Sequence, residues 1–191
     1  MHIGILALQG DFREHAQVLQ RLGVQTSEVR LPGDLQGIDG LIIPGGESTT
    51  IGKLALSYGF IEPLQAFARA RAVWGTCAGM VLLAKKIDRN QPTLGVMDIQ
   101  VERNAFGRQV DSFQIDLTVP VLAHGDLKPF PAVFIRAPRL VAVKGQAELL
   151  ATLPDGTGVA AREGKWLATS FHPELTGDSR FHDYFLSLVQ S

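Results

Sequence analysis

The stretch Val73-Trp74-Gly75-Thr76-Cys77-Ala78-Gly79-Met80 places the single cysteine of the chain between two glycines, as Gly-x-Cys-x-Gly. An apolar segment precedes it, and a good helix-forming run, residues 80–86, follows it. A strand, a tight turn that carries the nucleophile and then a helix form the nucleophile elbow of hydrolases. A thiol at a helix start also faces unpaired N–H groups, which favour its thiolate form. The stretch predicts a catalytic cysteine, with a small buried hydrophobic residue as the structural alternative.

Composition and charge narrow the classes of function. The chain has 191 residues, of which 46% are hydrophobic and 19% charged, and we expect one domain over residues 1–191. A formal net charge of −1 gives no electrostatic reason to expect a nucleic acid or an anionic membrane surface as partner. The apolar runs are too short to span a bilayer, and one cysteine permits no internal disulfide, so we expect a cytoplasmic protein. A multi-cysteine metal site is excluded, and we expect no metal.

Short apolar runs alternate with helical patterns in the first half of the chain. Strands are predicted at residues 3–8, 24–30 and 40–43, and helices at 12–22, 50–58 and 61–70. This alternation predicts a parallel, doubly wound sheet, whose sites form at the carboxyl ends of strands. Gln9-Gly10, Gly45-Gly46 and Cys77 all fall at such ends. Asp11 is predicted to cap the first helix, and Lys85-Lys86 to complete the end of the helix after the cysteine.

The pattern changes after residue 87. Segments 98–102 and 112–117 alternate polar and apolar residues, which predicts half-exposed, antiparallel strands. Further strands are predicted at 130–135, 140–143, 148–153, 159–162 and 165–170. Glu163-Gly164 is a plausible hairpin turn, and Asp178 is predicted to cap a last helix. We therefore expect a mixed α/β fold, with a mostly parallel central sheet flanked by helices and an added antiparallel strand region.

A thiol nucleophile needs a base, and the base needs an orienting partner. His172 is the best candidate, because it directly follows an apolar strand and Glu174 comes two residues later. Residues i and i+2 of an extended segment point to the same side, and Pro173 favours an extended backbone at His172. The carboxylate can then hold one ring nitrogen and leave the other for Cys77. A surface His-Pro turn with a solvated glutamate is the structural alternative.

The other histidines have weaker patterns. His15 lies beside Phe12 and Leu19 on its helix, so a packing role is predicted. His182 is predicted to lie on the solvated face of the last helix. Neither His2 nor His124 has an acidic neighbour that strand geometry would align with it.

The segment Pro44-Gly45-Gly46-Glu47-Ser48-Thr49-Thr50 follows the third strand. It is not a phosphate-binding loop, because Glu47 stands where that motif needs its first glycine and Leu54 where it needs Ser or Thr. A glycine pair at a strand end still offers free backbone N–H groups. A thiol hydrolase takes one oxyanion-hole N–H from the residue after the nucleophile and one from such a loop. Ala78 and Gly46 are the candidates, with a simple Gly-Gly turn as the alternative.

These motifs resemble a known family. Gly-x-Cys-x-Gly followed far downstream by His-Pro-Glu is similar to the triad-type (class I) glutamine amidotransferases, which have a flavodoxin-like fold. More narrowly, the chain resembles the glutaminase subunits of pyridoxal 5'-phosphate synthase. The motifs that carry this resemblance run in order along nearly the whole chain: Leu8-Gln9-Gly10-Asp11-Phe12-Arg13-Glu14-His15, Gly45-Gly46-Glu47-Ser48-Thr49-Thr50, Gly75-Thr76-Cys77-Ala78-Gly79, Val101-Glu102-Arg103-Asn104, Phe106-Gly107-Arg108-Gln109, Phe134-Ile135-Arg136-Ala137-Pro138 and Phe171-His172-Pro173-Glu174-Leu175.

The resemblance implies hydrolysis of L-glutamine to L-glutamate and ammonia, with Cys77 as nucleophile, His172 as base and Glu174 as the orienting carboxylate. It implies that a separate synthase subunit takes the ammonia and builds pyridoxal 5'-phosphate. No metal or bound cofactor is implied, since pyridoxal phosphate is the product of the whole complex. The glutamine-binding positions implied by the family are Gly46, Glu47, Ser48, Arg103, Ile135 and Arg136.

Two other functions stay open. The chain could be an interaction subunit whose triad is idle, or a free-standing cysteine amidohydrolase that acts on another amide. An arginine is the best partner for the carboxylate of a free amino acid, which favours glutamine if Arg103 and Arg136 line the site. Residues 9–15 are predicted to form part of the docking surface, because they open near the same strand ends.

Overall fold

The structure, a computed structural model, describes residues 1–103, 112–122 and 128–191. Asn104, the predicted motif Phe106-Gly107-Arg108-Gln109 and His124 lie outside the described residues. Within the described ranges, no helix has both the length and the apolar character needed to cross a membrane. The elements, in chain order, are β1 His2–Leu6, α1 Phe12–Arg21, β2 Gln25–Val29, β3 Gly40–Ile43, α2 Ser48–Ser57, α3 Ile61–Ala70, β4 Ala72–Thr76, α4 Ala78–Leu83, β5 Ala84–Ile87, β6 Met97–Glu102, β7 Ser112–Leu117, β8 Phe130–Ile135, β9 Arg139–Val143, β10 Glu148–Thr152, β11 Gly158–Glu163, β12 Trp166–Thr169 and α5 Arg180–Gln190.

The main sheet has the strand order β2-β1-β3-β4-β12-β11-β9-β6-β5, with β10 paired to β11. Strands β2, β1, β3, β4 and β12 pair in parallel. The sheet then continues through antiparallel pairs, β12 with β11, β11 with β9 and β9 with β6, and ends on β5, which is parallel to β6. A separate antiparallel pair joins β7 to β8. The predicted mixed, mostly parallel sheet with an added antiparallel region is confirmed.

The central strands bury both of their faces. In β3, Leu41 and Ile43 belong to one hydrophobic cluster with residues of α2, α3 and α4, whereas Ile42 belongs to the other with residues of α1 and α5. In β4, Val73 and Trp74 divide in the same way. Each fully buried Leu or Ile stabilises the fold by about 2 kcal/mol relative to an exposed one. Helices on both faces therefore explain why these strands are continuously apolar.

The helix after Cys77 is shorter than predicted. Helix α4 ends at Leu83, and Lys85 and Lys86 lie in β5 instead of completing a helix end. The pairing of β5 with β6 outweighs the helix propensity of this run, and it brings Lys85 Nζ to 3.3 Å from the Asp98 carboxylate. All six residues of α4 are buried, so tertiary packing decides where this helix stops.

Candidate active site

Cys77 lies at the turn between β4 and α4, as the sequence pattern predicts. Its backbone has φ 48° and ψ −103°, in the left-handed half of conformational space that non-glycine residues seldom occupy. The flanking glycines let the elements approach closely: a Cβ on Gly75 would overlap the Gly79 backbone, and one on Gly79 would overlap the carbonyl oxygen of Ile43. The thiol is held on a tight, strained turn at the carboxyl end of the sheet, the geometry of a nucleophile elbow.

His172 and Glu174 form a buried pair beside this turn. His172 Nδ1 lies 2.7 Å from Glu174 Oε1, and the two residues are only 4% and 5% exposed. The predicted contact is present, but the backbone differs from the prediction, because Pro173–Leu175 forms one turn of 3-10 helix. The His172 amide donates to the carbonyl of Val133 in β8, which ties this turn to the neighbouring sheet.

Asp11 lies on the other side of the same ring nitrogen. It occupies the N-cap position of α1 but makes no side-chain capping hydrogen bond with the described residues, so that prediction is wrong. Its Oδ2 is instead 3.3 Å from His172 Nδ1. Gly45 explains how the ring fits there, because a Cβ at that position would lie 2.9 Å from Nδ1 and overlap Cε1. Gly45 therefore makes room for the His172 ring.

The surroundings of His172 favour its protonated form. Burial opposes a charged ring, but hydrogen bonds to Asp11, Cys77 and Glu174 outweigh it and raise the pKa of His172 well above the ordinary value. Burial raises the pKa of the Glu174 carboxyl. An imidazole with a raised pKa that lines the same cavity as the thiol is a strong acceptor for the thiol proton.

A cavity of 520 Å³ opens over the thiol. Its size is that of a small-molecule site. Glu174 lies behind His172, and every other sequence-predicted site residue lines this cavity. Those lining residues are Gly46, Glu47, Ser48, Cys77, Ala78, Arg103, Ile135, Arg136 and His172.

Glu47 and Arg103 form one wall of the cavity. Glu47 is the N-cap of α2, and its carboxylate accepts from the amides of Thr49 and Thr50 at 3.1 and 2.7 Å. Partial burial opposes ionisation, yet hydrogen bonds from Thr50 and Thr49 outweigh it and lower the pKa of Glu47 to about 2. Arg103 donates to Glu47 at 3.1 Å, to Thr49 at 2.8 Å and to Gln91 at 2.6 Å. The wall thus carries a fixed negative and a fixed positive charge.

The end of β8 forms the opposite wall. The carbonyl oxygen of Ile135 lies 4.0 Å from Cys77 Sγ, and Arg136 follows with φ 43°. Both residues are exposed. The left-handed turn at Arg136 brings the strand end over the thiol and leaves a second cation at the cavity.

His15 and His182 are both fully buried behind the triad candidates. The packing role predicted for His15 agrees with its position, but the solvated face predicted for His182 is wrong. His182 packs edge-on against Trp74, with ring centroids 4.9 Å apart, on the face of α5 that meets the sheet. Its spacing from Phe185 in the sequence was a usable signal, since i and i+3 share a helix face.

Among the described residues, one group of side chains has the spacing of metal ligands. Ligand atoms of Asp11, His172 and Glu174 lie within 4.8 Å of one another. The two carboxylates face the same ring nitrogen, so a metal there would have to replace the Nδ1 proton that holds the pair together. The arrangement fits a hydrogen-bonded base better than a metal centre.

Sequence reasoning missed several contacts of the site. Gln9 Oε1 accepts from the Glu47 amide at 2.7 Å and so joins the first strand end to the glycine loop. Gln91 and Thr49 hold Arg103. No local pattern points to Gln91, which lies between β5 and β6, whereas Gln9 and Asp11 could have been found from their place directly after β1.

Comparison with known proteins identifies the family. The family model of the SNO glutamine amidotransferases matches residues 5–191. A protein of Herpetosiphon aurantiacus named pyridoxal 5'-phosphate synthase subunit PdxT is 58% identical over 98% of this chain and 100% of its own. The PdxT of Moorella thermoacetica is 56% identical over 99% and 100%. A solved structure described as a glutamine amidotransferase is 51% identical, with a TM-score of 0.92 over 99% of both chains. This chain therefore belongs to the SNO glutamine amidotransferase family, as the motifs predicted.

Proposed function

We propose that this chain is the glutaminase subunit of a pyridoxal 5'-phosphate synthase. It hydrolyses L-glutamine to L-glutamate and supplies the ammonia to a separate synthase subunit. The observation that carries the proposal is the strained turn at Cys77, which lines one cavity together with His172. The match to the glutamine amidotransferase family model and to a solved glutamine amidotransferase supports the substrate, and relatives named as synthase subunits support the partner. Residues 1–191 act as one glutaminase domain, in the cytoplasm, the compartment that suits a chain whose one cysteine forms no internal disulfide.

The reaction begins with proton transfer from Cys77 Sγ to His172, while Glu174 holds the ring. The sulfur attacks the side-chain amide carbon of glutamine, and the N–H groups of Ala78 and Gly46 stabilise the oxyanion. One such donor is worth about 3 kcal/mol of barrier. His172 returns the proton to the nitrogen as the C–N bond breaks and ammonia leaves. A water molecule, deprotonated by His172, then hydrolyses the glutamyl thioester and restores the thiol.

The charges at the cavity match a free amino acid. Glutamine carries an α-carboxylate and an α-ammonium group. Arg103 and Arg136 supply the cations for the carboxylate, and Glu47 stays ionised at neutral pH to receive the ammonium. Gly46, Ser48 and Ile135 complete the binding surface, with backbone and hydroxyl groups beside the thiol.

Replacing Cys77 by alanine tests the proposal. With the synthase subunit present, ammonia release from glutamine should fall by at least about 10⁴-fold in Cys77→Ala, because the nucleophile is lost. Thermal unfolding and binding to the synthase subunit should be preserved. Wild-type rates in this variant would refute the assignment.

Experiments on the wild-type protein, with and without the synthase subunit, distinguish the proposed function from the two competing ones. A glutamine-analogue electrophile should label Cys77 in an enzyme and leave it unlabelled in an idle interaction subunit. A free-standing amidohydrolase for another amide would be indifferent to the synthase subunit and to substitution of Arg103. We expect labelling, and we expect glutaminase activity to rise when the synthase subunit is added.

A further inference from the structure

The carboxylate of Glu174 has two oxygens with different surroundings. Oε1 lies 2.7 Å from His172 Nδ1, whereas Oε2 faces into the protein, 3.3 Å from Nε2 of His15. Both the Glu174 and the His15 side chains are 0% exposed. Oε2 has no hydrogen-bond partner within the described residues, and its approach to His15 is a 3.3 Å contact of ion-pair range. A buried carboxylate oxygen needs a donor, and His15 is placed to supply it.

The other ring nitrogen of His15, Nδ1, contacts a second buried histidine. His15 Nδ1 lies 3.0 Å from Nε2 of His182, and His15 Nε2 also lies 3.3 Å from Thr76 Oγ1. If His15 Nε2 carries the proton that faces the carboxylate, Nδ1 must accept from the Nε2–H of His182. The opposite tautomer would aim a lone pair at the carboxylate. Electrostatics therefore selects one proton arrangement for both rings.

The two rings are held neutral. Burial, with smaller contributions from His182 and His172, lowers the pKa of His15 well below its ordinary value. Burial and the charge of Arg21 lower the pKa of His182 to about 3. Four charged or titratable groups surround the two rings and the carboxylate between them and the base: Glu174, His172, Asp11 and Arg21. A neutral donor stabilises the carboxylate without cancelling the charge that Glu174 presents to His172.

We propose that His15 is a positioning residue of the glutaminase, donating its Nε2–H to the second oxygen of Glu174 and so fixing the carboxylate that orients His172. His182 fixes the tautomer of His15 by donating its Nε2–H to His15 Nδ1. This inference rests on the proposed function. It extends the candidate triad by two buried histidines, which contact neither the thiol nor the cavity.

Two substitutions separate this role from packing. His15→Phe keeps an aromatic ring but removes the donor, and His15→Gln keeps an N–H near the position of Nε2. With the synthase subunit present, we expect kcat for glutamine to fall on the order of 100-fold in His15→Phe, with KM unchanged. We expect His15→Gln to recover most of that loss. The acid limb of the kcat/KM profile should move to higher pH in His15→Phe, because an unsupported carboxylate is protonated more easily.

The outcomes distinguish the two proposals. Wild-type protein that releases no ammonia from glutamine would defeat the proposed function itself. Active wild type together with His15→Phe of unchanged kcat and pH profile would overturn only the role of His15. Equal losses in both variants, with no shift of the acid limb, would show a packing role and overturn it as well. The fraction of each protein whose Cys77 reacts with the electrophile gives the concentration of folded active sites, and each rate is divided by that concentration.

The proton positions on the two histidine rings can also be measured directly in the wild-type protein, so this test does not depend on the folding of a variant. Nitrogen-15 NMR of the histidine rings distinguishes the two neutral tautomers. We expect both His15 and His182 to carry their proton on Nε2. A proton on His15 Nδ1 would overturn the proposal.

Discussion

Two polar networks flank the cavity, and they differ in their exposure to water. The buried network consists of Glu174, His15 and His182, all of whose side chains are enclosed by the protein. The rim network consists of Glu47, Thr49, Gln91 and Arg103, where the Glu47 side chain is 50% exposed. Each network contains one glutamate, which contacts Arg103 in the rim network and His15 in the buried one.

Because the two networks differ in solvation, Glu174 and Glu47 are suited to different roles. In the buried network a hydrogen bond acts in a low dielectric, so one proton arrangement is strongly preferred and a missing partner is costly. In the rim network the Glu47 carboxylate is half exposed, so water screens its charge and its pairing with Arg103 can be exchanged for a ligand. The buried network suits the orientation of a base, and the rim network suits the reversible binding of a zwitterion.

Removing the charge of the buried glutamate should have the largest effect. Glu174→Gln keeps the shape of the side chain but presents a neutral amide to His172. We expect kcat for glutamine, with the synthase subunit present, to fall on the order of 10³-fold, since the imidazolium loses its partner and its orientation. Glu148→Gln is the control, because Glu148 pairs with Arg162 at 3.0 Å with a 63% exposed side chain. A Glu174→Gln enzyme within threefold of wild type would contradict the role of the buried network.

Gly45 lies against His172, the base that the buried network orients, and a methyl group there should displace this ring and leave the rim network intact. In Gly45→Ala the new Cβ would overlap the His172 ring. We expect kcat to fall by about 100-fold, the usual cost of displacing a catalytic group by about 1 Å, with a smaller change in KM. Gly33→Ala is the matched control, since a Cβ at Gly33 meets no atom of the described residues within 4 Å. Equal kcat in the two variants would mean that His172 tolerates displacement.

The sequence predicted the local parts of this arrangement. The elbow at Cys77 is local, because its glycines and flanking elements are consecutive in the chain. The contact between His172 and Glu174 was also predictable, although through a 3-10 turn instead of an extended backbone. Alternation of apolar runs predicted the parallel sheet, and with it the strand ends at which these residues meet.

The contacts that were missed are all tertiary. Asp11 has the sequence pattern of a helix cap, yet its carboxylate is drawn to His172, which only the folded chain brings within reach. His182 is polar, so composition favoured a solvated face, but the packing of α5 on Trp74 buries it. Gln91 reaches Arg103 from a connection with no local pattern. Such contacts depend on how elements dock, which one sequence does not specify residue by residue.

On the rim network we expect a binding effect without a chemical one. Arg103→Lys keeps the charge but loses the forked geometry that contacts Glu47, Thr49 and Gln91 together. KM for glutamine should rise by about tenfold while kcat stays within twofold, because the interaction is the same in ground and transition states. Arg162→Lys, at the distal pair with Glu148, should leave both constants unchanged. A fall in kcat at constant KM would contradict this prediction and would mean that Arg103 acts in the chemical step.

The smallest effect is on stability, and it tests whether the rim glutamate is structural as well as functional. Glu47 caps α2, and its pKa in the folded protein, about 2, lies below its ordinary value of 4.5. The charged form therefore stabilises the fold above pH 4.5, and this contribution is lost as the pH falls towards 2. Since the side chain is half exposed, we expect Glu47→Gln to cost only about 1 kcal/mol at pH 7. Urea unfolding at pH 7 and pH 3 measures the difference, which should narrow at the lower pH. A difference that is equal at both pH values would mean that Glu47 stabilises α2 through packing, and its charge would then serve the ligand alone.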